Sequence, residues 1–455
     1  MQYSGRDYDS AVDKPSRERP ASSKPRDSAE SLSQATHEKL VALSRYAMRN
    51  FGIVKESSQS KALYAIGDGL KPQPRSSNAE WNRKAAQVFE RDFKRIDIAG
   101  RNTGLDFLYF ASYALDTDGE IFFLKRTKVL SSDEKVEFPA LQVVETHRLS
   151  YKTSGNVVQG IEFDEFGREV AYHFEGLEKP IPAENVFAVR EPTRATEVRC
   201  APAIQHMLPH LLDARQIFEM QKENVKLAEK FVTALTSPNP ETAEEDIGIF
   251  GDSGGSGEIS EINTARGGQI LKLPEGTRLE AIQSNHPNSE FPQFLEALYR
   301  DASFGSLPYE VAVDASKIGG AAVRLQAWRT DKIISRRQQV LIDRLLNPIW
   351  KYIIALAMKR GVLDYVEDWT EVDWATPRSI TVDNGRESAQ MREDVKAGLY
   401  PIEDFYSAMN FGNFEEEMLR RIELTAKVKE LAESKGLNPA DIAQVLFPSG
   451  DKISS

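Results

Sequence analysis

Apolar residues recur at helical spacing at Leu40, Leu43, Ala47 and Phe51, behind Ser33 and Thr36, either of which can cap a helix beginning there. The same period at Trp81, Ala85, Val88, Phe89 and Ile96 predicts a second helix over about residues 78–99. Residues 105–115 continue as an apolar helix. At Asp116-Thr117-Asp118-Gly119 a turn intervenes and the period changes to that of strands. Residues 120–125 read as an aromatic strand, and 140–144, 157–163, 169–174 and 185–190 as short strands. Asp164-Glu165-Phe166-Gly167 joins the middle two of these as a hairpin connection, with glycine where a positive φ is needed. Residues 120–195 are thus expected to form a compact antiparallel unit inside an α+β domain.

Beyond Pro202 a long helix is predicted from Pro209, admissible in a first turn, to Leu235, spanning roughly 40 Å at about 1.5 Å per residue. Ser237-Pro238-Asn239-Pro240 stops it. A Gly-rich loop, two weak strands at 269–273 and 278–282 and a helix over 289–303 follow. After a break at 303–308 and a loop over 314–320, apolar periodicity runs from about 321 to 360, a rod that Pro348 should end or kink. The C-terminal stretch is again helical and strongly charged, as in Phe414-Glu415-Glu416-Glu417-Met418-Leu419-Arg420-Arg421. No internal repeat is visible.

Length then sets the scale: 455 residues correspond to about three units at roughly 150 residues each, and 40% hydrophobic residues suffice for real cores. A net charge of −11 gives no global basic field, so any DNA contact has to be local or transient. Cys200 is the only cysteine, which excludes an intramolecular disulfide framework and an all-cysteine metal cage and fits a reducing compartment. The most apolar stretch, residues 349–358, is interrupted by Lys351 and is too short to cross a bilayer, so neither a membrane span nor a standard signal is expected. Residues 1–36, rich in Ser and balanced in charge with few large apolar groups, are expected to be a disordered arm.

Several strings suggest chemistry and fall short of it. Gly251-Asp252-Ser253-Gly254-Gly255 matches the surroundings of a serine-protease nucleophile, yet it sits between helices rather than in an all-β double barrel and no histidine stands in the required context. A loop tip explains its glycines, and a hydrolase using Ser253 stays an alternative. No G-x-x-x-x-G-K-[ST] is present for a nucleotide-driven motor. His206 and His210 stand at i, i+4 without a third ligand, so no metal is expected. Arg324, Arg329, Lys332, Arg336, Arg337 and Arg344 against Asp331 and Asp343 give the rod a local excess of +4, equally suited to phosphate contact or to salt bridges. Trp328 and Trp350 on the same rod read as core or interface residues.

Taken in order, a series of short strings resembles the lambda family of tailed-phage portal proteins from about residue 40 to 415. They are Asp118-Gly119-Glu120-Ile121-Phe122; Gly160-Ile161-Glu162-Phe163-Asp164 with Gly167-Arg168 and Ala171-Tyr172-His173; and Ile181-Pro182-Ala183-Glu184-Asn185-Val186. Arg194, Val198-Arg199 and Pro202 follow, then Pro308-Tyr309-Glu310, Asp314 and Arg324, and finally Trp374, Pro377, Asp383, Arg386-Glu387 and Gly398-Leu399. The chain departs from the family pattern at Glu197, at Cys200, at Phe187 and at Gly319-Gly320-Ala321, none of them catalytic positions in the family.

The resemblance implies a predominantly α-helical α+β portal-type fold and a ring, about twelve copies, at one capsid vertex, through which double-stranded DNA enters and leaves without sequence-specific reading. It further implies no enzyme activity and no cofactor, and partners that include the terminase large subunit, head-completion or adaptor proteins, tail proteins and the major capsid protein, with assembly in the host cytoplasm and residence in the virion. Another head-tail connector protein is the remaining alternative. On this chain the wing would take residues 37–200, the stem helices 201–235 and 286–305, and the clip 236–285. The tunnel loop would take 306–321, the long kinked helix and return to the wing 322–383, the helical crown 384–445 and a disordered tail 446–455. Asp314, Lys317, Ile318, Gly319, Gly320 and Arg324 would then face the DNA channel, with the two glycines as a hinge and Lys317 touching phosphate. In the clip, Asp252, Glu258, Arg266 and Lys272 would meet the motor or adaptor. Net acidity suits passage of DNA, since a protein making about 6–10 phosphate contacts binds too tightly to let it slide.

Overall fold

The computed structural model describes residues 26–129, 137–229, 233–236, 278–281, 291–303, 307–312, 321–377, 384–402, 405–406 and 414–434. Two units divide the chain, one formed by Met1–His206 with Phe304–Ser455 and the other by Met207–Ser303. The architecture is a predominantly helical α+β one.

In the first unit α1 (Gln34–Asn50) begins behind Ser33, whose hydroxyl accepts the Thr36 amide. Its buried face is His37, Val41, Ser44 and Ala47, one stripe round from the expected Leu40, Leu43 and Phe51. The reason is a hydrogen bond: His37 Nδ1 lies 2.7 Å from the Tyr151 hydroxyl, which draws that polar stripe inward. Residues 26–36, expected to belong to a disordered arm, are tied by hydrogen bonds while staying largely exposed, with the Gln159 amide donating to Ala29 O and Leu32 O and Ser28 Oγ to Thr196 O. Helix α2 (Gly52–Ile66) escaped the periodicity because it buries Ser57, Ser58 and Lys61 beside Val54, Ala62 and Ile66. Strand β1 is Lys71–Pro74. Helix α3 (Ala79–Phe93), capped by the Asn78 side chain, stops before the expected residue 99. There the Asp97 carboxylate gathers the amides of Ala99, Arg101 and Asn102 at 2.9–3.0 Å and bends the chain, although Ile96 remains buried. Helix α4 (Gly104–Thr117) opens with a Thr103/Asp106 capping box.

Strand β2 (Glu120–Val129) lies between β3 (Glu137–Glu145) and β8 (Val186–Arg190), all antiparallel. A smaller sheet runs β4 (Val157–Val158), β5 (Ile161–Phe163), β6 (Glu169–Tyr172) and β7 (Ile181–Pro182) in that order. The single strand expected over 157–163 is split at Gln159 and Gly160, which have φ of 48° and 83°. A Cβ at Gly160 would stand 2.0 Å from the Ser150 carbonyl oxygen, so the bend needs glycine there. Successive residues of a strand face opposite ways, and both faces of β2 are covered. Ile121 and Phe123 enter the main helical core, while Phe122 and Leu124 enter a second core with Leu149, Ile161, Tyr172 and Phe174. That is why the strand reads as an unbroken apolar run.

The second unit holds α5 (Met207–Glu229), β9 (Thr233–Thr236), β10 (Arg278–Ala281) and α6 (Phe291–Ser303). His210 Nε2 lies 3.4 Å from Asp301 Oδ2 and the Phe218 and Phe291 rings stack at 6.4 Å, so the two helices run antiparallel. The helix expected to reach Leu235 is shorter, because residues 233–236 pair instead with 278–281, satisfying their backbone groups in a ladder. The strand expected over 269–273 lies outside the described residues.

Returning to the first unit, the rod is α7 (Ala321–Leu341), a π-helical turn (Ile342–Leu346) and α8 (Asn347–Lys359). Pro348 does not end it. Proline lacks an N–H and crowds the carbonyl four residues back, and the widened turn immediately before it absorbs that misfit while Pro348 occupies the first turn of α8. Leu345, Leu346, Ile349, Trp350, Ile353, Ile354 and Ala357 of this stretch are buried against Phe89, Phe107, Phe123 and Leu141. Strand β11 (Val372–Ala375) closes the unit by pairing antiparallel with β1. Prolines confined β1 to a two-stranded edge, and they hid it from the pattern. Helices α9 (Asn384–Lys396) and α10 (Phe414–Ser434) follow.

Candidate functional site

Two buried ionic clusters hold the first unit together, and both involve residues from the strings read in the sequence. At the first, Arg199 Nε meets the Glu120 carboxylate, both side chains having no exposed area. Thr146 Oγ1 donates to Glu120 Oε1 at 2.8 Å, Arg199 Nη2 donates to Thr146 O at 3.0 Å, and the guanidinium carbon lies 4.7 Å from the centre of the Tyr151 ring. Burial pushes the Glu120 carboxyl up, but Arg199 against it reverses this and holds it below the ordinary range. His37 is pulled below its ordinary 6.5 chiefly by burial. Gly119, at φ 83°, is what lets the strand come this close: a Cβ there would lie 2.1 Å from Cys200 O. Thus Asp118-Gly119-Glu120 and Val198-Arg199, remote in sequence, meet at one packing point. Burial raises the Cys200 thiol, which leaves it an inert core group.

The second cluster ties the rod to the helices around it. Asp116 Oδ1 accepts from Lys61 Nζ at 2.7 Å and from Arg337 Nη2 at 2.8 Å, and Arg337 Nη1 donates to Ser112 O at 2.6 Å. Burial lowers Lys61. It raises Asp116, yet the two cations prevail and hold that carboxyl below its ordinary value. Of the six cations from Arg324 to Arg344, Arg337 is therefore spent on Asp116, and Arg336 on Glu191 at 2.8 Å. Arg324, Arg329, Lys332 and Arg344 are exposed. Trp350 is fully buried, whereas Trp328 is 58% and Leu325 59% exposed on the N-terminal half of the rod.

The channel residues Asp314, Lys317, Ile318, Gly319 and Gly320 lie outside the described residues, as do Asp252, Glu258, Arg266 and Lys272 of the expected clip and Ser253 of the protease-like string. Arg324 is placed, on the first turn of α7. His206 and His210 do not share a ligand: the first lies 3.2 Å from Ala203 O and the second pairs with Asp301. Among the described residues no group of three His, Cys, Asp or Glu side chains could hold a metal, and no helix is long and apolar enough to cross a membrane. His37, Tyr151 and Lys61 were not singled out from sequence, and Asp116 was read only as the start of a turn although it lies in the last turn of α4, since nothing local marks a buried polar residue whose partner is far along the chain.

Charged groups thus serve as internal ties in the first unit, and the N-terminal half of the rod exposes Leu325 and Trp328. The sequence matches the family described as phage portal protein, lambda family, over residues 16–338, more than half of the chain, and the chain belongs to that family. No curated protein matches it. Among solved structures it is similar to a chain in the neck of an empty gene transfer agent particle computed with C6 symmetry, at a TM-score of 0.49 and 13% identity over 79% of this chain and 94% of that one. A chain in the neck of the native particle computed with C12 symmetry gives 0.49 and 14% over 81% and 92%, and one in the native virion 0.45 and 14% over 79% and 89%. The family assignment rests on the sequence match.

Proposed function

We propose that this portal protein forms a closed ring of about twelve copies at one capsid vertex, that double-stranded DNA passes through its channel during packaging and ejection, and that the terminase motor and later the head-completion and tail proteins dock on its outer end. The observation that carries this reading is the family match over residues 16–338. Three features support it. The unit Met207–Ser303 is a separate compact body with two antiparallel helices, suited to a stem that carries a clip at residues 236–285. In sequence the rod follows residues 306–321, assigned to the tunnel loop, and Arg337 locks it to Asp116. Finally, a net charge of −11 disfavours tight capture of DNA.

In this reading Lys317 supplies one phosphate contact per subunit, weak singly and summed round the ring, and Asp252, Glu258, Arg266 and Lys272 belong to the docking end. Replacing residues 236–285 by a short linker is expected to leave the wing folded and abolish docking of the packaging motor, and with it packaging, while Lys317→Glu leaves ring assembly intact and alters the amount of DNA packaged or retained. Unchanged packaging in the first variant would remove the clip assignment, and unchanged retention in the second the role of the loop.

A further inference from the structure

Phe166 is 87% exposed at the tip of the β5–β6 hairpin. The turn is stiff. Asp164 O accepts the Gly167 amide at 3.1 Å, Asp164 Oδ1 accepts the amides of Phe166 and Arg168 at 3.0 and 2.8 Å, and Arg168 Nε closes on Asp164 Oδ2 at 3.1 Å. Phe166 is thus held out on a preorganised arm, with Glu165 beside it, and little ordering remains to be lost when it docks.

At the other end of the same small sheet lies a cleft of about 680 Å³ whose lining includes Lys125, Arg126, Leu177, Lys179, Ile181 and Tyr352. Leu177 is 46% exposed there, and Tyr352, whose hydroxyl donates to Arg126 O, supplies an aromatic wall. Lys125 Nζ stands 5.2 Å from the Phe187 ring centre and 5.8 Å from that of Tyr352, with no ion pair among the described residues. Its charge is answered by Glu184 only at a distance, and burial lowers it. Among the described lining residues Glu178 is acidic, against Lys125, Arg126 and Lys179.

Resting on the ring reading above, we propose that the Phe166 tip of one copy inserts into the Lys125–Leu177–Tyr352 cleft of the next. Charge complementarity selects a tip bearing Glu165 for a cleft with three cations, and topology selects a second copy. Residues 164–168 leave β6 at one end and 173–180 at the other, because Tyr172 pairs with Ile181 after Glu169 has paired with Phe163. A stretch of extended chain separates knob from hole, so a copy does not fill its own cleft. Two complementary patches on opposite ends of one element make a head-to-tail contact, which is the kind that closes rings.

The test uses cysteine pairs in the full chain, whose only native cysteine, Cys200, is buried. Phe166→Cys and Leu177→Cys are placed on one chain and treated with a short bismaleimide, and the same preparation is imaged. The expected result is a ladder of covalent oligomers reaching the ring number, and dimers only when the two single-cysteine chains are mixed. Glu165→Lys is expected to raise the concentration at which rings fall apart at least tenfold, and adding Lys179→Glu to bring it back. Rings without a ladder above the parent background would overturn this contact and leave the ring reading standing, whereas the absence of rings from the parent chain would overturn both. Intact rings from Phe166→Ser that no longer enter capsids would assign the tip to another protein and also overturn the proposal.

Discussion

Removing Arg199 while keeping Glu120 isolates the ionic tie that the portal-family strings build. In Arg199→Met the methionine fills much of the space, but a carboxylate with no exposed area loses the guanidinium bonded to it and retains the Thr146 hydroxyl and the Cys200 amide, the latter at 3.4 Å. Breaking one side of a buried pair costs about 3–5 kcal/mol, because the remaining charge is left uncompensated. Arg199→Met with Glu120→Gln carries no such charge, and the amide oxygen can still accept from Thr146, so most of that loss should return. Urea unfolding of the four members of the cycle, followed by tryptophan fluorescence, measures the coupling. Dependence on pH supplies a second reading. The folded Glu120 carboxyl is depressed in the parent, so its contribution is present above the ordinary carboxylate range and lost as pH falls through the folded value. In Arg199→Met that carboxyl is raised instead, and the deficit should shrink on going from pH 7 to 5 as it takes up a proton. A deficit under about 1 kcal/mol, or a double variant no better than the single one, would refute the reasoning.

Gly119→Ala is expected to cost about 3 kcal/mol or more, from positive φ and a Cβ at 2.1 Å from Cys200 O, whereas Gly167→Ala, at φ 77° in open space, should cost about 1–2 kcal/mol; thermal melts of both decide it. His37 is depressed below 6.5, so between its folded and unfolded values the unfolded chain binds a proton that the folded one refuses. Stability should therefore fall as pH drops below about 6.5, by up to ~1.4 kcal/mol per unit, and His37→Gln should flatten that slope in pH-dependent urea titrations. Trp328→Ser should leave the melting of the isolated subunit within about 0.5 kcal/mol and weaken self-association at least about tenfold in sedimentation, because the ring is exposed in the single chain.

What could be read from the sequence follows from how local each signal is. Strand β2 was legible because both its faces are buried, and the rod because its period persists for many turns. The chain's response to Pro348 was not, since whether a helix breaks or widens depends on Trp350 and its neighbours being pinned in the core. Burial of His37 rather than Leu40 was hidden for the same reason: its partner Tyr151 is 114 positions away. Glu120 and Arg199 are 79 apart, so the strings that carry the resemblance could be recognised before their meeting place was known, and Asp116 and Arg337, outside those strings, are 221 apart. The clip and channel residues were named through that resemblance alone, and no hydrophobic period marks them.

Electron microscopy of the purified full-length chain, with particles counted by rotational symmetry across a range of concentration and salt, bears most directly on the central claim. The account predicts closed rings of about twelve subunits around an axial channel wide enough for duplex DNA. A strictly monomeric or dimeric protein under every condition would contradict it.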